Sequence, residues 1–377
     1  MTYSIGVIIG TRPEAIKLAP IINTLRSDSR FTTTVIITGQ HDTLLHPVLS
    51  FFDITPDVQL NVIVPGQSLS QLNSKLLSEL DPLISKYHLN GIIAQGDTTS
   101  ALAGAMVGFY NKLDVFHVEA GLRTDDLYAP YPEEFNRRVI DEVATAKFAP
   151  TPESLNRLIR EGKKDHAVNV GNTVIDALFL GLRLIDQRGH QRYHDWYSSI
   201  GGSPDRRSIL VTTHRRENAG DPLVEICAAL KEIASQHPTI DIMLPVHKNP
   251  QFYSTIYSEL SGIHQIKLLD PLPYDQLLWI MTQSTLVLTD SGGLQEEAPS
   301  LNKPVLVMRD VTERPEGVAA GCAALVGTTR FQIVTSVTNL LCNPTHYHSM
   351  ASASNPYGDG HASDTIISYI ATHFLKE

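Results

Sequence analysis

The sequence predicts an α/β protein of two Rossmann-like, doubly wound domains facing a cleft, and three observations carry that expectation. At 377 residues the chain is too long for one ordinary hydrophobic core, so two domains are the default. Short, apolar, β-branched runs alternate with longer helical patterns, as in parallel sheets joined by crossover helices. The second half also restarts much as the first begins. "IGVIIGTRPE" (5–14) and "SILVTTHRREN" (208–218) are each a strand, a small turn, an arginine and a helix start, and "IIAQGDTTSALAG" (92–104) pairs in the same way with "LVLTDSGGLQEEA" (286–298).

In chain order, the apolar run 5–9 precedes a helical pattern over 14–26, 35–38 precedes 42–52, and 91–94 precedes 99–111. Residues 172–187 read as a helix and 188–207, rich in Arg, Gly and Ser, as a connector. The expected organisation is a first domain over 1–171, a connecting helix and linker over 172–207, a second domain over 208–360, and a last amphipathic helix over 361–377. The pattern does not say on which domain that last helix packs. Ligands of such sheets bind outside the carboxyl ends of the strands, where all of these turns fall.

Composition narrows the partners. Thirty Lys and Arg against 40 Asp and Glu give a net charge of −10, which argues against nucleic acid or an anionic membrane as partner. An anionic ligand must then be met by local arginines and helix ends. Three dispersed cysteines, Cys227, Cys322 and Cys342, suggest neither a disulfide framework nor a zinc site, and fit a reducing cytoplasm. The apolar run 5–9 is followed at once by "GTRPE", too short for a signal peptide, so the expectation is a cytoplasmic protein.

Several turns carry candidate chemistry, each with a plainer alternative. "GTRPEAIKLAP" puts Arg12 in a strand–helix turn with Pro13 beside it and Lys17 one turn on; this is an anion site or a solvent-facing surface turn. "AQGDTTSALAG" ends a strand at Asp97, which could equally be a helix cap. Glu119 in "VFHVEAGLRT" follows a buried run, where capping explains a carboxylate less well. Glu133 and Glu134 open a helix, a position the helix dipole favours anyway, with Arg137 and Arg138 free to pair with them or with a ligand. "LVTTHRRENAG" sets His214, Arg215, Arg216 and Glu217 directly after a strand, either at an anion or as a simple basic turn. His247 in "LPVHKNP" and Arg309, Glu313 and Arg314 in "MRDVTERPEG" read in the same two ways.

No GxGxxG or GxxxxGK[ST] follows a strand, and neither metal-ligand spacing nor a magnesium-holding Asp pair is present. Asp290-Ser291-Gly292-Gly293 superficially suggests a nucleophilic serine but lacks the GxSxG elbow. A strand stopping at a glycine turn before a helix suits a phosphate better.

Together, "GTRPEAIKLAP", "GDTTSALAG", "HVEAGLRT", "YPEEFNRRVID", "GNTVIDAL", "HRREN", "TDSGGLQEEAPSLNKPVLVMRDVTERPE" and "NPYGDGHAS" resemble the non-hydrolysing bacterial UDP-N-acetylglucosamine 2-epimerases, in order, from residue 5 to about 365. The resemblance implies the two-domain fold of the B-type glycosyltransferases. It also implies interconversion of UDP-GlcNAc and UDP-ManNAc without cofactor or metal, to supply cell-surface polysaccharide. UDP would leave C1 as C2 loses its proton, and would re-add to a bound 2-acetamidoglucal after reprotonation from the other face. On that basis Asp97, Glu119 and Glu133 match the acid/base carboxylates and His214 the histidine near the leaving phosphate. Arg12, Lys17 and Arg137 match substrate contacts, and Ser291, Gly292 and Gly293 the pyrophosphate loop. Glu297 matches the ribose contact, Arg314 a further basic contact, and Leu272 and Leu277 the uracil pocket. Gln40, Glu134, Arg215 and His247 fall in motifs tied to activation by a second UDP-GlcNAc, and the family implies a homodimer. Alternatives are a hydrolysing epimerase releasing ManNAc and UDP, a UDP-sugar-dependent retaining glycosyltransferase, and a UDP-sugar sensor without turnover.

Overall fold

The computed structural model describes residues 2–39, 42–124 and 126–375, with 42–44 by backbone alone. Two compact units emerge, Met1–Leu180 with Tyr357–Glu377 and Gly181–Pro356. The chain passes from the first to the second within the helix Thr173–Arg188.

The first unit holds a seven-stranded parallel sheet. Its strands are β1 (Tyr3–Ile9), β2 (Phe31–Ile37), β3 (Val58–Gln59), β4 (Gly91–Gln95), β5 (Asp114–Val118), β6 (Ala146–Ala149) and β7 (Ala167–Asn169), in the order β3-β2-β1-β4-β5-β6-β7. The second unit holds six parallel strands, β8 (Arg207–Thr212), β9 (Ile240–Pro245), β10 (Ile266–Leu269), β11 (Leu286–Thr289), β12 (Val305–Val307) and β13 (Ala323–Leu325), in the order β10-β9-β8-β11-β12-β13. Each sheet therefore starts at a central strand, builds outward one way and then returns to build the other. Strand order reverses between β1 and β4 in one unit and between β8 and β11 in the other. Adjacent crossover connections leave in opposite directions there, which opens a crevice at the strands' carboxyl ends.

The strands are continuous apolar runs because helices cover both faces. Ile5, Val7 and Ile9 of β1 and Ile209, Leu210 and Val211 of β8 are essentially without solvent contact. The expected strand–helix pairs appear as β1 and Arg12–Ser27, β2 and Asp42–Phe51, and β4 and Thr99–Tyr110. Gly104 and Gly108 let that last helix lie close on the sheet, since a Cβ at either would come within 2.8 Å of Ile8 or Val115.

Two features of the sequence resolve here. The stretch 188–207 is more than a connector, because Gln191–Ser199 is helical. It buries Tyr193, stacked 5.4 Å from Trp279, and Tyr197, anchors hidden by the polar residues around them. The last helix, Ala362–Phe374, packs in the first unit. Its Ile366, Ile367 and Ile370 are buried, and Phe374 meets Phe116 at 5.1 Å. Asp176 secures the entry to that helix by accepting the backbone N–H groups of Ala362 and Ser363. Among the described residues no helix is long and apolar enough to cross a membrane.

Candidate active site

In the first unit, the candidate residues gather around the turns after β1, β4 and β5. Asp97 follows Gly96, whose φ of +68° turns the chain out of β4. The helix that comes next is capped by Thr98, which accepts the Ala101 N–H at 3.1 Å. That bond, worth about 1 kcal/mol, leaves the Asp97 carboxylate uncommitted to capping. Arg137 Nη2 instead donates to Asp97 Oδ2 at 2.5 Å, and Asn136 Nδ2 holds the Asp97 carbonyl at 2.8 Å. Burial raises the Asp97 carboxyl above the ordinary carboxylate range, against the pull of Arg137, and the charges of Glu119 and Glu133 add to the rise. Because 26% of the side chain stays exposed, the group remains reachable.

Glu119 stands just past β5 with φ at +68°, a left-handed conformation that costs a glutamate about 1–2 kcal/mol. Lys17 and Gln95 help to hold it there. Lys17 Nζ lies 2.5 Å from Oε1, and Gln95 Nε2 donates to Oε2. Glu133 opens the helix Glu133–Val143, half-buried, with no hydrogen bond or ion pair among the described residues. Glu134 is different. Fully buried, it accepts the Thr124 N–H at 3.0 Å and Arg138 Nε at 2.6 Å. Arg12 begins the first helix, half-buried, and Gln40 lies outside the described residues.

Glu14 went unremarked in the sequence because an acid in a helix's first turn looks like dipole chemistry. Its buried carboxylate accepts the Gly10 N–H at 3.1 Å and the hydroxyls of Thr11 and Thr98, each at 2.7 Å. It therefore ties the turn after β1 to the turn after β4, and takes from within part of the anion site read at "GTRPE". Burial pushes this carboxyl up to about 7 from 4.5, against those hydrogen bonds. The folded chain thus binds a proton that the unfolded chain releases between these values. Stability should fall as pH rises from 4.5 through 7, by on the order of 3 kcal/mol at full ionisation. Glu14→Gln cannot ionise, and its melting temperature should decline less over that range than the wild type's. Parallel profiles would remove Glu14 as the source.

In the second unit, the turn after β8 is organised by Asp290 at the end of β11. Its buried Oδ2 accepts the backbone N–H groups of His214 and Arg215, both at 2.9 Å, Asn218 Nδ2 at 3.0 Å and the Thr213 hydroxyl at 3.2 Å. Its Oδ1 lies 3.1 Å from His214 Nδ1, an ion-pair distance without hydrogen-bond alignment. Burial works to raise the Asp290 carboxyl, but His214 and the two backbone N–H groups outweigh it and hold it below the ordinary range. The His214 ring is 42% exposed and stacks 6.3 Å from His247. The histidine is thus paired with Asp290 rather than with Ser291.

Ser291 takes the N-cap position of the helix Gly292–Glu297, yet its hydroxyl makes no capping bond. A Cβ on Gly292 would lie 3.7 Å from Arg215 Nη2 and 4.0 Å from Arg314 Nη2, so two guanidiniums converge on this glycine. Arg314 is oriented by Glu296, which accepts from its Nε, and Arg215 by Glu313 at 3.3 Å. Arg309, by contrast, is buried against Glu217 at 2.5 Å and anchors its loop. Glu297 is buried and accepts the Tyr274 hydroxyl at 2.7 Å. That bond fastens "DPLPYDQLLW" here, with Leu272 and Leu277 half-buried on either side of Tyr274.

Three partners were not read from sequence as site residues, namely Gln95, Asp290 and Tyr274. Asp290 stood inside a quoted motif, and its place directly after an apolar run is the signal that Glu119 also gave. Gln95 and Tyr274 left no such mark, since their partners are 24 and 23 residues away.

Comparison with known proteins identifies the family. The sequence model of the UDP-N-acetylglucosamine 2-epimerases matches residues 23–371. The UDP-N-acetylglucosamine 2-epimerase of Yersinia pestis is 45% identical over 97% of this chain and 98% of its own. The crystal structure of the Neisseria meningitidis UDP-GlcNAc 2-epimerase bound to UDP-GlcNAc superposes with a TM-score of 0.91 at 40% identity, over 98% of this chain and all of that one. A glycosyltransferase from Rickettsia africae shares the fold alone, with a TM-score of 0.60 at 12% identity over 98% of this chain and 94% of its own. With a family match along nearly its whole length, the chain belongs to the UDP-N-acetylglucosamine 2-epimerase family.

Proposed function

We propose that the chain, working as a cytoplasmic homodimer, interconverts UDP-GlcNAc and UDP-ManNAc at C2 and so supplies ManNAc-derived sugars for cell-surface polysaccharide. The C2 hydrogen is not acidic, because no carbonyl adjoins it in the ring. UDP therefore leaves C1 with both bonding electrons, and a carboxylate takes the C2 proton. 2-Acetamidoglucal and UDP remain bound. A carboxylic acid then delivers a proton to the opposite face of C2, and UDP re-adds at C1. One face needs a base and the other an acid, both with pKa values near the working pH.

The observation that carries this reading is the grouping of three carboxylates in the first unit: burial raises the Asp97 carboxyl above the ordinary carboxylate range, and the charges of Glu119 and Glu133 add to that rise. Glu119 and Glu133 complete the acid/base set, with Lys17, Arg137 and Arg12 as sugar and phosphate contacts. The Ser291 hydroxyl, the Gly292–Gly293 backbone, Arg314 and His214 hold the diphosphate, where positive charge stabilises the departing oxygen. Glu297 takes a ribose hydroxyl, and Leu272 and Leu277 flank the uracil.

The reading is tested by incubating the protein with UDP-GlcNAc in D2O, without added metal or NAD, and following the sugar by proton NMR. UDP-ManNAc carrying deuterium at C2 is expected. Free ManNAc would identify hydrolysis instead, and a sugar without deuterium or inversion would overturn the reading in favour of a transferase or sensor.

A further inference from the structure

His117 lies on β5, wholly buried, and no step above uses it. Its Nδ1 is 2.6 Å from Asp141 Oδ1 and its Nε2 is 2.8 Å from the carbonyl oxygen of Gly96. A peptide carbonyl has no proton to give, so Nε2 must donate. Asp141 is equally buried, accepts the Gly121 N–H at 3.2 Å and pairs with Arg123 at 2.7 Å. Held against the Arg123 guanidinium and a backbone N–H, that carboxyl is ionised. An ionised carboxylate accepts only, so Nδ1 donates as well. A ring donating from both nitrogens is an imidazolium. Its charge and that of Arg123 are balanced by Asp141 and by Glu161, which pairs with Arg123 at 2.7 Å. Lys147, beside His117 on β6, turns its Nζ to the Ala144 carbonyl at 2.9 Å.

The placement gives this cation a task. The Gly96 carbonyl immediately precedes Asp97, His117 itself is two residues before Glu119, and Asp141 lies on the helix that begins with Glu133 and carries Arg137. We propose that His117 is a positioning residue for the epimerisation: its buried imidazolium ties the Gly96 carbonyl to Asp141 and so fixes Asp97, Glu119 and Glu133 relative to one another. A neutral ring would turn a lone pair toward either the carbonyl or the carboxylate and lose one of the two ties. The inference rests on the reading of those three carboxylates as the acid/base groups.

Two measurements test it. In protein labelled with 15N-histidine, with His117→Gln to assign the signals, both ring nitrogens of His117 should carry bonded, exchange-protected protons throughout the working pH range. One protonated nitrogen would overturn the proposal. In kinetics, the glutamine of His117→Gln can donate to Gly96 but sets its oxygen against Asp141. Its kcat should fall on the order of a hundredfold while KM and UDP affinity hold, since small misplacement of reacting groups costs about that much. Asp141→Asn covers the case in which that variant does not fold. Its amide can donate to Nδ1, keeping the ring in place but neutral, and kcat should again fall with one ring proton lost. Turnover at the wild-type rate in either variant would sink the positioning role. A wild-type protein that puts no deuterium into C2 would refute the functional reading instead, while the ring-proton count would still decide the charge of His117.

Discussion

Asp97→Asn and Glu119→Gln are each expected to end epimerisation while leaving UDP binding intact. Both substitutions keep the shape and remove only the ability to exchange a proton. Arg137 can still donate to the asparagine oxygen of Asp97→Asn. Lys17 and Gln95 can divide between the oxygen and nitrogen of the Glu119→Gln amide less well, so Glu119→Gln should also soften the turn. Loss of a general acid or base costs about a hundred- to ten-thousandfold in rate, and the proposed reaction needs one on each face of the sugar. C2 deuteration and UDP-ManNAc formation should both fall at least a hundredfold, with the UDP dissociation constant, measured by calorimetry, within about twofold of the wild type's. The residues proposed to hold the diphosphate, Ser291, Gly292, Arg314 and His214, all belong to the other unit, which is why binding should survive. Wild-type turnover in either variant would remove that residue from the chemistry.

Asp290→Ala should do the reverse, losing the grip on UDP before the chemistry is reached. Four donors converge on one buried oxygen, and two of them, the Thr213 hydroxyl and the Asn218 amide, are themselves buried. Each buried donor left without an acceptor costs about 1–3 kcal/mol, so the second unit should lose roughly 3 kcal/mol or more. The turn carrying His214 and Arg215 would then come loose. UDP affinity should drop at least about tenfold, which corresponds to only 1.4 kcal/mol of misplaced contacts. Asp290→Asn keeps one acceptor oxygen and should stand between wild type and alanine in both melting temperature and affinity. An alanine variant that binds UDP as the wild type does would mean that the turn holds its shape without the carboxylate.

Much of this architecture was legible in the sequence because its signals are local. Apolar β-branched runs such as "IGVII" and "SILV" announce strands buried on both faces, and most of the turns read as ligand sites come directly after one, the segment opening at Glu133 being an exception. Glu119 stood out because a carboxylate at the end of a buried run is poorly explained by capping, whereas Asp97 gained its role only from the family resemblance. The helix Gln191–Ser199 escaped because the aromatic partner of its buried Tyr193 is Trp279, more than eighty residues away. Whether Asp97 or Thr98 caps its helix could not be read either, since both are good caps and only the backbone decides. The link from Asp141 through His117 to the Gly96 carbonyl joins a helix, a strand and a turn, and nothing in "VFHVEAG" marks the histidine for that task.

The conformation of Glu119 bears on how this fold can drift. A glutamate in the left-handed region is held against its own preference, and glycine or asparagine would sit there with less strain. Selection for stability alone would therefore replace it. A chain that keeps this fold but carries glycine at the corresponding place has become easier to fold and has no carboxylate left to offer the sugar. A relative with glycine or asparagine at this place would lack the carboxylate proposed above as an acid/base group, and is expected not to epimerise.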